Sequence, residues 1–97
     1  MKRLTIRHAA ASDIREAVAW YDGQRTGLGQ EYYDEIVACI RRIAAKPDAF
    51  AAVYEDLREG VPYRFPYRVY YRIRGNWIVI VAVIHTARDP AVWQSRR

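Results

Sequence analysis

The stretch "YRFPYRVYYRIRGNWIVIVAVIH", residues 63–85, decides the fold. Its first half alternates in the manner of a strand whose two faces differ. Phe65, Tyr67, Val69, Tyr71 and Ile73 share one face, while Arg64, Pro66, Arg68, Tyr70, Arg72 and Arg74 share the other. Gly75-Asn76 suits a tight turn that needs positive φ. The second half, from Trp77, is apolar on both faces and is expected to be a central strand. A two-residue turn sets the register: Arg74 faces Trp77, Arg72 faces Val79, Tyr70 faces Val81 and Arg68 faces Val83. That register puts Val79, Val81 and Val83 on the arginine face and brings His85 beside Pro66, near Arg64 and Arg68. A slip of one residue would undo the arrangement.

Upstream, "KRLTIRH" alternates and predicts a first strand that ends at His8. In "SDIREAVAWYDGQ" the period changes. Ser12 is the expected N-cap, Asp13 favours the positive helix end, and Ile14, Ala17, Val18 and Tyr21 fall at helical spacing. After "DGQRTGLG" a second helix is predicted over Gln30–Lys46, with Tyr32, Ile36, Cys39, Ile40 and Ile43 as its stripe, ended by Pro47. A further strand is predicted near Val53–Arg58. "TARDPAVWQSRR" reads as a basic tail with one helical turn after Pro90. Trp20, Tyr32 and Tyr33 read as core or interface. The fold class that follows is α+β: an N-terminal strand, an antiparallel helical hairpin, then a three-stranded antiparallel sheet with the hairpin on one face. Residues 1–97 suffice for one domain.

Composition narrows the function. Apolar residues make up 52% of the chain and charged residues 28%, as in a folded globule. The longest apolar run, Trp77–Ile84, has eight residues, far short of a membrane span. The N-terminal residues lack the apolar block of a signal peptide, and a single cysteine, Cys39, suits a reducing compartment, so a cytoplasmic location is expected. No Cys/His spacing suits zinc and no glycine-rich phosphate loop occurs, so neither metal nor cofactor is expected. A net charge of +5 favours an acidic partner, protein or nucleic acid. The arginines over a valine floor suggest a half-covered groove that a partner fills. His85, beside Arg64, Arg68 and Arg88, is a candidate acid or base or phosphate donor.

The runs "RFPYRVYYRI", "IVIVAVIH" and "ARDPAVWQSR" resemble the C-terminal half of the RelE/ParE superfamily, toxins of bacterial type II toxin–antitoxin modules. "AASDIREAVAWYDGQRTGLGQEYYDEI" is similar to the helical hairpin of its ParE-like branch. The resemblance covers nearly the whole chain and implies one of two activities: cleavage of messenger RNA in the ribosome, or poisoning of DNA gyrase. It also implies a cognate antitoxin that wraps the toxin. Arg68 and Arg88 match arginines that hold phosphate in the ribonucleases, which makes His85, Arg68 and Arg88 the catalytic set if the chain is a ribonuclease. Arg64, Arg68, Arg72 and Arg88 are then the expected target or phosphate contacts. Val79, Val81, Val83, Arg72 and Arg74 are the expected antitoxin surface. Other ribonuclease positions differ: the lysine pair falls near Glu59 and Val61, and Trp93 stands for a tyrosine. The resemblance therefore implies a gyrase inhibitor first, a ribosome-dependent endoribonuclease second, and a non-toxic basic binding module third.

Overall fold

The computed structural model describes residues 2–97. Strand β1 (Arg3–Ile6) is followed by helices α1 (His8–Gln24) and α2 (Leu28–Ala45). A short 3₁₀ turn at Pro47–Ala49 leads to β2 (Ala52–Tyr54), β3 (Leu57–Gly60), β4 (Tyr67–Arg74), β5 (Trp77–His85) and a last turn of helix, α3 (Ala91–Gln94). The strands form one sheet in the order β1-β5-β4-β3-β2. The class is the α+β one expected, with five strands rather than four. β1 lies parallel to β5 at one edge, and the other pairings are antiparallel.

The helical hairpin covers one sheet face. Ala10, Ile14 and Ala17 of α1 and Tyr32, Ile36, Cys39 and Ile43 of α2 pack on Phe65, Val69, Tyr71, Ile78, Ile80 and Val83. The two helices approach closely at Gly29, where an added Cβ would lie 2.5 Å from the Val18 carbonyl oxygen. Asp22 fixes the start of α2, since its carboxylate accepts hydrogen bonds from the Gly27 and Gly29 N–H groups. Gly27 itself is left-handed at φ 91°. These contacts start α2 at Leu28 rather than at Gln30.

Three other expectations are corrected. α1 begins at His8, capped by extended Arg7, so Ser12 lies inside the helix and His8 opens it instead of ending a strand. The run Ala9-Ala10-Ala11 is a strong helix former, and burial of Ala10 carries the helix past the polar cap signal. The single strand near Val53–Arg58 is a hairpin, β2 and β3, turning at Glu55-Asp56 with Glu55 at φ 52°. Arg58 holds it in place by donating to the Phe50 carbonyl at 2.7 Å.

The third correction matters most. The β4–β5 register runs as expected from Arg74↔Trp77 to Tyr71↔Ile80, with Gly75 in the turn at φ 58°. It then slips by one, so that Tyr70 faces Ala82, Arg68 faces Ile84 and Tyr67 faces His85. Val81 is the extra residue of this bulge. The slip sends Val83 to the helix side, where it joins the main core, and leaves Val81, Ala82 and Ile84 on the other face with Tyr70 and Leu57.

The helix contact yields a direct test. Gly29→Ala is expected to destabilise the protein by about 1–3 kcal/mol through overpacking against the Val18 carbonyl, read as a lower urea midpoint with an unchanged m-value. Gly23→Ala, where an added Cβ meets nothing within 4 Å, is expected not to be destabilising.

Candidate functional site

Apart from Arg64, the predicted site residues fall into three places. The first is the far end of the sheet on the helix side. Here Trp20, Tyr67, His85 and Arg88, with Asp13 and Glu16, line an open cleft of about 230 Å³. His85 packs edge-on against Tyr67, with ring centroids 5.2 Å apart. Its Nδ1 accepts a hydrogen bond from the Ala87 N–H at 2.9 Å, which leaves Nε2 as the proton-bearing nitrogen of the neutral ring. Burial, followed by the neighbouring Tyr21, pushes the Tyr67 hydroxyl up from its ordinary pKa, so it stays a neutral donor. Trp20 is 60% exposed and forms the outer wall. His85 is therefore not on the arginine face. The bulge turns it to the face opposite Arg68, so His85 and Arg88 come together while the expected set of His85, Arg68 and Arg88 does not assemble.

The second place is the middle of the outer face, which is covered by the chain's own C-terminal turn. Trp93 stacks on Tyr70, with centroids 4.0 Å apart and planes at 9°, over Val81, Ala82, Ile84 and Leu57. Val81 is fully buried and Val83 is buried on the helix side, so neither presents a surface to a partner. Of the expected valine floor, Val81 thus lies in a second small core, Val83 lies in the main core, and only Val79 stays partly open. Arg68 lies beside Glu59 at 3.8 Å, and burial, with Glu59 next to it, pushes the Tyr70 phenol up to about 12. Arg64 is elsewhere, in the loop before β4 at φ 69°, where it donates to Glu31 of α2 at 2.8 Å. That contact, and then Arg25, holds the Glu31 carboxyl below its usual range.

α3 is held down by Asp13, which sequence reasoning read as a helix-end charge. One carboxylate oxygen accepts from the Val83 N–H at 3.0 Å and from Arg96 Nη1 at 2.6 Å; the other accepts from Arg96 Nη2 at 3.1 Å. Arg7 completes the grip by donating to the Arg96 carbonyl at 2.8 Å. β1 ends its pairing at Ile80, where the Arg7 N–H donates to the Ile80 carbonyl. Beyond that point Asp13 takes over the free edge of β5. No spacing rule in the sequence links residue 13 to residues 83 and 96.

The third place is the outer face near the β4–β5 turn. Arg74 is exposed there, Arg72 is buried at 7% exposure, and Val79 lies between them and β1. Burial first, then Arg74 and Arg7, lowers the affinity of the Arg72 guanidinium for its proton. Its Nε has no acceptor. Among the described residues, no group of His, Cys, Asp and Glu has the arrangement to hold a metal ion. No helix is long and apolar enough to cross a membrane.

Comparison with known proteins agrees with this fold. Residues 4–90 match the family model described as the ParE toxin of the type II toxin–antitoxin system parDE. The chain belongs to that family. It is 30% identical over 90 residues to Toxin ParE2 of Mycobacterium tuberculosis strain CDC 1551 / Oshkosh, an alignment that spans 92% of this chain and 86% of the relative. The same figures hold for Toxin ParE2 of strain ATCC 25618 / H37Rv. A solved structure described as the chromosomal ParDE TA system from P. aeruginosa superposes with a TM-score of 0.80 at 18% identity, over 88% of this chain and 96% of that one. At that identity the likeness is one of fold.

The tail contact is testable by itself. Trp93→Ala is expected to cost about 3 kcal/mol, at the low end for loss of a buried indole because a terminal turn can partly collapse. Trp93→Phe is expected to recover more than half of that loss in the same denaturation series. Val81→Asp is expected to prevent folding, since it places a carboxylate inside this second core.

Proposed function

We propose that the chain is the toxin of a type II toxin–antitoxin module that acts by inhibiting DNA gyrase and is neutralised by a cognate antitoxin. Membership of the ParE family carries this reading, through the match over residues 4–90. The site geometry also separates the catalytic set that the ribonuclease resemblance implied, His85 and Arg88 on one face and Arg68 on the other. Attack of a 2′-hydroxyl needs a base and an acid near one bound phosphate. Arg68 has Glu59 beside it on the outer face, and His85 lies on the opposite face. Trp93 offers no titratable proton and is spent on packing against Tyr70. The antitoxin is expected to be acidic and amphipathic, against the toxin's net charge of +5. Of its expected contacts, Arg74 and Val79 are open to a partner, Arg72 is reached only from the rim, and Val81 and Val83 are closed by the chain itself.

Purified toxin is expected to inhibit gyrase supercoiling or to accumulate cleaved DNA, and the added antitoxin to reverse this. His85→Ala is expected to change that inhibition by less than about 3-fold, whereas loss of a general acid or base costs a nuclease about 10²-fold or more. Codon-positioned cuts in messenger RNA soon after induction, abolished in His85→Ala and with gyrase unaffected, would replace this reading with the endoribonuclease.

A further inference from the structure

Three strands meet at the end of the outer face that α3 leaves open. In register, Arg3 of β1, Trp77 of β5 and Arg74 of β4 lie side by side, and Thr5, Val79 and Arg72 form the next row. Adjacent strands lie about 4.8 Å apart, so the row spans about 10 Å from one arginine to the other. The Arg3 guanidinium sits 5.8 Å from the centre of the Trp77 indole, which remains 41% exposed.

The row is basic, and the contact Arg3 makes is with the Trp77 ring rather than with an acid. None of Arg3, Arg72 and Arg74 forms an ion pair among the described residues, and the nearby acids Glu55 and Asp56 are both held by Arg97, at 2.6 and 3.2 Å. Arg72 is more than nine-tenths buried with an Nε that lacks an acceptor. A buried, unpaired guanidinium among like charges is costly, and an anion entering beside it removes that cost.

We propose that this surface binds single-stranded nucleic acid, one base stacking on the Trp77 indole and its flanking phosphates meeting Arg3, Arg74 and Arg72. An exposed indole between two cations matches the alternation of base and phosphate in an unpaired strand. An acidic peptide without aromatic residues supplies carboxylates but brings no planar group for the indole. A duplex keeps its bases stacked on one another, and its stiff backbone does not reach a recessed Arg72. This binding is separate from the gyrase reading and does not depend on it.

The test is fluorescence anisotropy of a labelled oligo-dT with the purified toxin, titrated with salt. Trp77→Ala is expected to weaken binding by about 10-fold, while Tyr33→Ala, an exposed aromatic on α2, binds as the unaltered chain does. Arg3→Gln and Arg74→Gln are each expected to flatten the log–log salt slope by about 0.7, the loss of one phosphate contact on a single strand. Both arginines are exposed, so these variants keep the test valid if Arg72→Gln does not fold. The proposal is overturned if Trp77→Ala binds oligo-dT as tightly as the unaltered chain does. It is also overturned if a duplex of equal length binds as well as the single strand, or if a poly-glutamate peptide binds and oligo-dT does not. A toxin that binds oligo-dT in this pattern yet leaves gyrase untouched upholds this site and removes the gyrase reading.

Discussion

The carboxylate of Asp13 joins three parts of the chain that share no local sequence. It sits on the first helix, accepts the Val83 N–H of the central strand and receives a two-pronged contact from Arg96 near the C-terminus. A carboxylate facing an arginine fork gains both charge and geometry. Here it also satisfies a backbone donor that the edge strand β1, whose pairing with β5 stops at Ile80, leaves without a partner. The β-bulge at Val81 and the docked tail are therefore one arrangement. The bulge re-aims β5, Asp13 secures its edge, and Arg96 carries the tail over the face the bulge has made apolar.

That arrangement divides the outer face in two. Under α3, the stack of Trp93 on Tyr70 seals Leu57, Val81, Ala82 and Ile84 into a second core. Beyond α3, the same face stays open as a basic and aromatic corner around Trp77. A ParE-family toxin built this way is closed by its own tail in the middle of the sheet and open at one end. The cleft around His85 and Arg88 is a separate feature on the helix side, and no acid–base pair with Arg68 spans the sheet.

Much of this was legible in the sequence. Strict alternation in residues 63–74 and a glycine at the turn defined the strand, its faces and half of the hairpin register. The helical stripes of α1 and α2 named the core residues Ile14, Ala17, Tyr32, Ile36, Cys39 and Ile43. The bulge was not legible, because "IVIVAVI" is apolar at every position and carries no phase that a slip would disturb. The β2–β3 turn was hidden because Glu55-Asp56 contains no glycine, although Glu55 takes positive φ. The covering of the valines was hidden for a different reason. It depends on Asp13 meeting residues 83 and 96, a pairing that only the folded chain brings about. Arg68, Arg72 and Arg74 share a face as read, but Arg64 and His85 lie off it and its middle is filled by the protein's own Trp93.

The most direct measurement of the central claim is amide hydrogen exchange at Val83 by NMR in the unaltered protein. Val83 has no β1 partner, so its protection rests on the Asp13 carboxylate. The account predicts exchange as slow as that of the fully paired core amides of β4, such as Val69. Exchange at Val83 as fast as at the exposed edge residue Ile6, whose N–H faces away from β5, would contradict it, because the carboxylate would then not be holding the bulged strand and the tail together.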